Sequence, residues 1–371
     1  MNENKSASQG VRPVSRRKFV IGSAAAGAAA LFPGLAARAQ RAGLDPRRID
    51  VHHHFTPEPY NAFRRKYNIG GAPAAWQLSE DLEDMDQAGV ATALLSITTP
   101  GFWFGSTDDV RRVSRECNEA AARLRADYPG RFGSFATIPM TDVDGALREL
   151  GYALDTLNAE GIGLFSNYQS NKWLGDSAFD AIWQELNRRK TVVYVHPAPA
   201  DCCRDINQGV PPTWIEYGAD TGRAIGSLIM SGTTSRYPDI TFIFSHGGGI
   251  LPFVVERFLG GTAEEIVPGI VTKGQGGSGV VGSGYPEQVP RGTLHEIRKM
   301  YYDTAQIANP VALQATKQVV GTSQILFGTD YWFRTAVETV RGLETSQVFT
   351  VEELAAINRG NAARILPRYS A

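Results

Sequence analysis

From residue 48 onward, short apolar runs alternate with longer stretches in which apolar residues recur every three or four positions. The short runs cover 49–55, 90–97, 132–138, 161–165, 191–195, 240–245, 300–303 and 324–328. Their length and their content of β-branched and aromatic residues predict strands. Stretches such as 108–127, 141–160 and 177–189 carry the helical period, with Asp, Ser or Thr near the start to cap it. Strand and helix in strict alternation build a parallel sheet. Eight such units, with no G-x-G-x-x-G after the first strand, predict an α/β fold closed as a (β/α)8 TIM barrel rather than an open doubly wound sheet. The glycine-rich stretch 273–284 reads as an excursion between strands six and seven, and a terminal helix over 351–362 as part of the outer layer.

Composition changes this picture at one end only. The 371 residues are 43% hydrophobic and 20% charged, a globular balance. Residues 1–39 hold six of the 37 basic and one of the 38 acidic side chains, so the remainder carries 31 against 37, a charge of −6. A mildly acidic body argues against nucleic acid or an anionic membrane surface as partner. Ser15-Arg16-Arg17-Lys18-Phe19-Val20 precedes the small-residue run 21–31 and then Ala37-Arg38-Ala39. This resembles a twin-arginine export signal with an A-x-A cleavage site. The run is too short and too weakly apolar to remain as a membrane span. The expected organisation is therefore a signal peptide over 1–39 and a single barrel domain over 40–371, periplasmic or secreted, with no stable membrane insertion after cleavage. Of three cysteines, Cys202 and Cys203 are adjacent. Neighbouring Cα atoms lie closer than a disulfide ordinarily spans, so no disulfide framework is expected.

Five of the six histidines stand at predicted strand ends: His52, His53 and His54 on the first, His196 on the fifth, His246 on the sixth. In a barrel, the C-terminal strand ends converge on one mouth. Alternation along a strand puts His52 and His54 on one side, where they can chelate one ion, and turns His53 toward the helices. The eighth run ends in Asp330, which delivers a carboxylate to the same mouth. Three neutral imidazoles and a carboxylate suit one divalent transition ion, zinc foremost and manganese next. A second ion would need a bridging group, typically a modified lysine ending strand four. That strand ends Leu164-Phe165-Ser166-Asn167, with Lys172 several residues beyond. His295 falls in a helical stretch and reads as a surface residue.

With Ile49-Asp50-Val51-His52-His53-His54-Phe55, Tyr128-Pro129-Gly130-Arg131-Phe132, Leu174-Gly175-Asp176, Val195-His196-Pro197, Ser245-His246-Gly247-Gly248-Gly249 and Phe327-Gly328-Thr329-Asp330 in order, the chain from about residue 48 resembles a family of metal-dependent decarboxylases. These are the amidohydrolase-related enzymes that include aminocarboxymuconate-semialdehyde and 6-methylsalicylate decarboxylases. The resemblance implies metal ligands at His52, His54, His196 and Asp330 and a catalytic histidine at His246. It implies non-oxidative decarboxylation of a small aromatic or unsaturated acid; the alternative is metal-dependent hydrolysis of a C–N, ester, lactone or C–C bond. Either His246 or Asp330 could move the proton. Phe102 and Trp103 after strand two, and Trp332 after Asp330, are candidate walls of an apolar slot for a flat small-molecule substrate. Arg223 is a candidate anchor for the substrate carboxylate, in its own subunit or in the neighbour of a homodimer.

Overall fold

The computed structural model describes residues 47–69, 76–102, 104–169, 172–203, 209–259, 264–267, 270–272 and 287–370. The leader, Trp103 and the glycine-rich stretch lie outside the described residues. All eight expected strands form: β1 Arg48–His54, β2 Val90–Ser96, β3 Phe132–Thr137, β4 Gly161–Phe165, β5 Val192–His196, β6 Thr241–Phe244, β7 Tyr301–Asp303 and β8 Ile325–Leu326. They pair in parallel, in chain order. The ladder of β8 is two residues long because the chain beyond it bonds to β1 instead. Val51 N donates to Phe327 O, Asp330 N to His52 O and His54 N to Tyr331 O, at 3.0, 2.9 and 3.1 Å. These bonds stitch the last strand to the first, giving the nearly closed barrel whose C-terminal mouth gathers the strand-end residues.

The helices arise from local signals. α1 (Glu58–Lys66), α2 (Leu78–Ala88), α3 (Thr107–Asp127) and α4 (Val143–Gly151) flank the first four strands. α3 starts on Ser106, whose side chain accepts from Asp109 N, and places Asp108 and Asp109 in its first turn, where they suit the helix dipole. Its Val110, Val113, Cys117 and Ala121 form one buried stripe. α4 is shorter than expected and runs into a π turn at Tyr152–Thr156. α5 (Asp180–Arg188), α6 (Glu216–Met230) and α7 (Leu251–Leu259) surround β5 and β6. The expected terminal helix begins with a capping box, Thr350 with Glu353, and is interrupted by a π turn at Ala356–Gly360. No helix among the described residues is long and apolar enough to cross a membrane.

Two cores divide the apolar residues. The larger lies between strands and helices, with Trp183, Phe132, Phe242 and Val113 in it. The smaller fills the barrel: Ile49, Val51, Leu94, Phe135, Tyr194, Ile243 and Leu326, closed from below by Ala362, Leu366 and Tyr369. Strict alternation from Ile49 and Val51 would turn His53 inward. The β1–β2 register instead slips between Asp50 and His53, so one extra residue on β1 re-aims the side chains beyond it. That bulge lets His52 and His54 share the interior with Val51.

Candidate metal centre

Five side chains meet at the mouth. His52 Nε2 lies 3.0 Å from His54 Nε2 and 3.3 Å from Asp330 Oδ1; His54 Nε2 is 3.2 Å from the same oxygen. Ring centroids of His196 stand 5.2 Å from His52 and 4.8 Å from His54, and His246 stands 5.0 Å from His52. Ligand atoms of His52, His196, His246 and Asp330 all fall within 4.8 Å of one another. His54 therefore makes a fifth potential ligand to a centre that needs four.

The outer nitrogens show how the inner ones are used. His52 Nδ1 lies 2.8 Å from Asp303 Oδ2, and His196 Nδ1 2.8 Å from Pro197 O. Those acceptors fix the proton on Nδ1, so each ring turns an Nε2 lone pair inward. His54 Nδ1 meets Ser96 Oγ at 3.1 Å. Inward lone pairs 3.0 Å apart repel unless a cation lies between them. Asp330 Oδ1 is buried and accepts no hydrogen bond, while Oδ2 accepts from Gln306 Nε2 at 3.0 Å and faces His246 Nε2 at 3.4 Å. An orphaned carboxylate oxygen beside converging imidazoles fits a divalent ion, and the donor set is one that transition ions take.

Charge in the site points the same way. Burial lowers the His52 pKa, but the Asp303 and Asp330 carboxylates more than offset it and hold the ring up at about 10. Burial lowers His54 and drives His196 well below the ordinary histidine value. Asp330 is held well below the usual carboxylate range: burial works against this, and the charge on His52 with the neighbouring His246 and His54 rings outweighs it. Without an ion, a proton on His52 supplies the cation that the carboxylates demand.

The backbone is shaped to this purpose. Asp330 and His246 both sit at positive φ, 64° and 54°. This conformation is uncommon for residues with a Cβ and is often found where function needs it. Gly328 lets β8 approach the cluster, since a Cβ there would stand 2.8 Å from Asp303 Cβ and 2.9 Å from His52 Cβ.

His53 faces away as expected, bonded to Asp50 Oδ2 and Asp81 Oδ1 at 2.9 Å each and stacked on Tyr331 at 4.8 Å. Where a bridging lysine would stand, Ser166 and Asn167 bond to Ala198 O, and Lys172 is exposed. Trp332 stands 6.3 Å from the His54 ring and stacks on Phe333 at 5.2 Å, so it borders the centre. Phe102 instead packs on Tyr60 and Phe63, each at 6.1 Å, beside a cavity of about 10 Å³ that it shares with Phe165. Among the described residues, the partners of Arg223 are Asp220 at 2.5 Å and Glu216 at 3.8 Å on its own helix. His295 is half-buried on the helix Thr293–Lys299.

Three neighbours escaped the sequence reading. Asp303 ends β7 and was visible by the logic used for Asp330, an apolar strand delivering a carboxylate. Gln306 lies just beyond it in a loop with no such signal. Tyr217, in the first turn of α6, stands 6.0 Å from the His196 ring, with its hydroxyl 2.8 Å from Thr99 Oγ1.

A closed parallel barrel with an imidazole and carboxylate cluster at its C-terminal mouth defines the class of metal-dependent (β/α)8 enzymes. The amidohydrolase family model (Amidohydro_2) matches residues 49–368, and the chain belongs to that family. It is 35% identical over 344 residues to "Decarboxylase yanB" of Aspergillus niger, covering 87% of this chain and 88% of that protein. It is 35% identical over 295 residues to the 6-methylsalicylic acid decarboxylase of Penicillium expansum, covering 76% and 84%. Among solved structures, the 5-carboxyvanillate decarboxylase of Novosphingobium aromaticivorans, crystallised with manganese and 4-hydroxy-3-methoxy-5-nitrobenzoic acid, superimposes with a TM-score of 0.74 at 22% identity. That match covers 86% of this chain and 96% of that one.

Proposed function

We propose that this chain is a metal-dependent, non-oxidative decarboxylase of a small aromatic acid, with His52, His54, His196 and Asp330 as ligands of one divalent ion, zinc or manganese. The observation that carries the reading is the orphaned Asp330 Oδ1 among inward-facing imidazole nitrogens, in a chain about one-third identical to named decarboxylases. When bound, the ion supplies Lewis acidity that anchors the substrate carboxylate and a neighbouring oxygen. Oδ1 faces His52 and His54, whereas Oδ2 already serves Gln306 and His246. This division supports His246 as the residue left outside the ligand set.

Loss of carbon dioxide leaves the electron pair of the broken C–C bond on the ring, and a proton must replace it there. In this reading His246 Nε2, which lies 3.4 Å from Asp330 Oδ2, donates that proton. Trp332 and Phe333 near His54, and Tyr217 near His196, offer flat walls for an aromatic ring. Arg223 Nη1 is engaged by Asp220 on its own helix, which leaves the carboxylate-anchor role without support from the structure. Export by the twin-arginine route belongs to the same proposal and rests on Arg16, Arg17 and the small-residue run after them.

The test is incubation of metal-loaded protein with a panel of hydroxybenzoates and a panel of lactones and amides. Carbon dioxide and the decarboxylated phenol are expected from the first panel, with no new carboxylate from the second. Hydrolysis of the second panel, with no carbon dioxide from any aromatic acid, would replace the reading with a hydrolase.

A further inference from the structure

We propose that Cys202 and Cys203 are a reversible two-electron modification site, which closes to a vicinal disulfide in the loop leading from His196 to α6. The two residues occupy a single 3-10 turn, Asp201–Cys203, with Cys203 N donating to Ala200 O at 3.0 Å. Their Sγ atoms lie 3.0 Å apart, about 1 Å from bonding distance. The spacing of neighbouring Cα atoms had argued against such a bond. The turn nevertheless aims both thiols at one point.

The two sulfurs have unequal roles. Cys202 is exposed and Cys203 is buried. The hydrogen bond that the Cys203 thiol donates to Cys202 Sγ, together with burial, raises the Cys203 pKa to about 11, against the pull of Arg223. Cys203 therefore keeps its proton while the pair is reduced, and the accessible Cys202 meets an oxidant first. The oxidant is a small-molecule disulfide. The Cys202 thiolate attacks one of its sulfurs, forming a mixed disulfide and releasing one thiolate. That step also removes the Cys202 thiolate that held the Cys203 proton, so Cys203 loses it and attacks Cys202 Sγ, expelling the second thiolate. Two protons and two electrons leave the protein, and one external disulfide becomes two thiols.

Short Cα spacing strains the resulting ring, so the bond belongs to the readily reduced class rather than to structural disulfides. The turn is also tied to the helix behind it. Ala200 N donates to Asp220 Oδ2 at 3.1 Å, and Arg223 donates to Asp220 Oδ1 at 2.5 Å. The third thiol, Cys117, is buried on α3, and burial pushes its pKa upward. It serves as an internal standard.

The experiment treats the folded full chain with oxidised glutathione, quenches with acid and alkylates in denaturant. Expected is a fall from three alkylatable thiols to one, a mass loss of about 2 Da before alkylation, mapping to the 202–203 peptide, and full reversal by excess reduced glutathione. Neither Cys202→Ser nor Cys203→Ser should show that loss. Three thiols persisting in the wild-type protein would overturn the proposal. So would a product that stops at the glutathione adduct, a disulfide-linked dimer, or loss of 2 Da in either variant.

Discussion

Replacing Asp303 by asparagine exchanges one carboxylate oxygen for an amide nitrogen in a position with no spare acceptors. The two oxygens accept from three donors: His52 Nδ1 at 2.8 Å, His246 N at 2.9 Å and Ala305 N at 3.0 Å. Two orientations are open to the amide. With its nitrogen toward the backbone, two N–H groups face a donor, at a cost of about 1–3 kcal/mol for each unmet bond. With its nitrogen toward His52, the ring must accept at Nδ1 and carry its proton on Nε2, which faces Asp330 Oδ1 at 3.3 Å. The second orientation costs less and removes the lone pair that would hold the ion. Loss of such an outer partner lowers metal affinity by about 10–100-fold, or roughly 1.4–2.7 kcal/mol. Manganese and zinc dissociation constants, measured by chelator competition on wild type and Asp303→Asn, should differ by that factor. The thermal midpoints of the chelated proteins should differ far less. A folded variant that binds both ions within about two-fold of wild type would refute the tautomer argument.

The other expectations rest on separate contacts. His246→Ala should keep its metal by elemental analysis and lose about 10²-fold or more in single-turnover rate; loss of the ion would make His246 a ligand. In Gly328→Ala, the added methyl at 2.8–2.9 Å from two Cβ atoms should cost about 1–3 kcal/mol in urea unfolding, and an unchanged midpoint would show that β8 can yield. Glu185 hydrogen-bonds Arg188 and Arg189, which hold its pKa down at about 2 against an ordinary 4.5. Its stabilising share is therefore complete above pH 4.5 and fades as the pH falls toward 2. Glu185→Gln should cost less than about 1 kcal/mol at pH 7 and still less at pH 4, and a cost that grows with acidity would reverse the sign of the argument. Replacing Arg16 and Arg17 with lysines should leave uncleaved protein in the cytoplasm, and unchanged periplasmic recovery would show that the leader is not read by its guanidinium pair.

The barrel was legible because its strands are apolar runs of the right length separated by helical periods, a signal that survives without any alignment. His52 and His54 could be paired, and His53 set aside, because local alternation is dictated by strand geometry. Val51 could not be placed inside with them, since the bulge after Asp50 depends on how β1 seats against β2. Phe102 shows another limit. Its position after β2 predicts a place at the mouth, but Tyr60 and Phe63 of α1 offer a fuller apolar contact and take it. Arg223 illustrates a third, because Asp220, one turn earlier on the same helix, supplies a carboxylate that no strand-end argument includes.

The seam between first and last strands also sets a clock for biosynthesis. His52 leaves the ribosome well before Asp330 and the residues that plug the barrel, through Tyr369. At roughly 5–20 residues per second, tens of seconds separate the first imidazole from the carboxylate that completes the cluster. During that interval, His52 and His54 lack the backbone partners that Asp330 and Tyr331 give them across the seam. The centre thus waits for synthesis past β8, and no nascent fragment ending before β8 could select its ion. A cell that delivers this protein folded would have to hold it back until β8 and the plug through Tyr369 have docked.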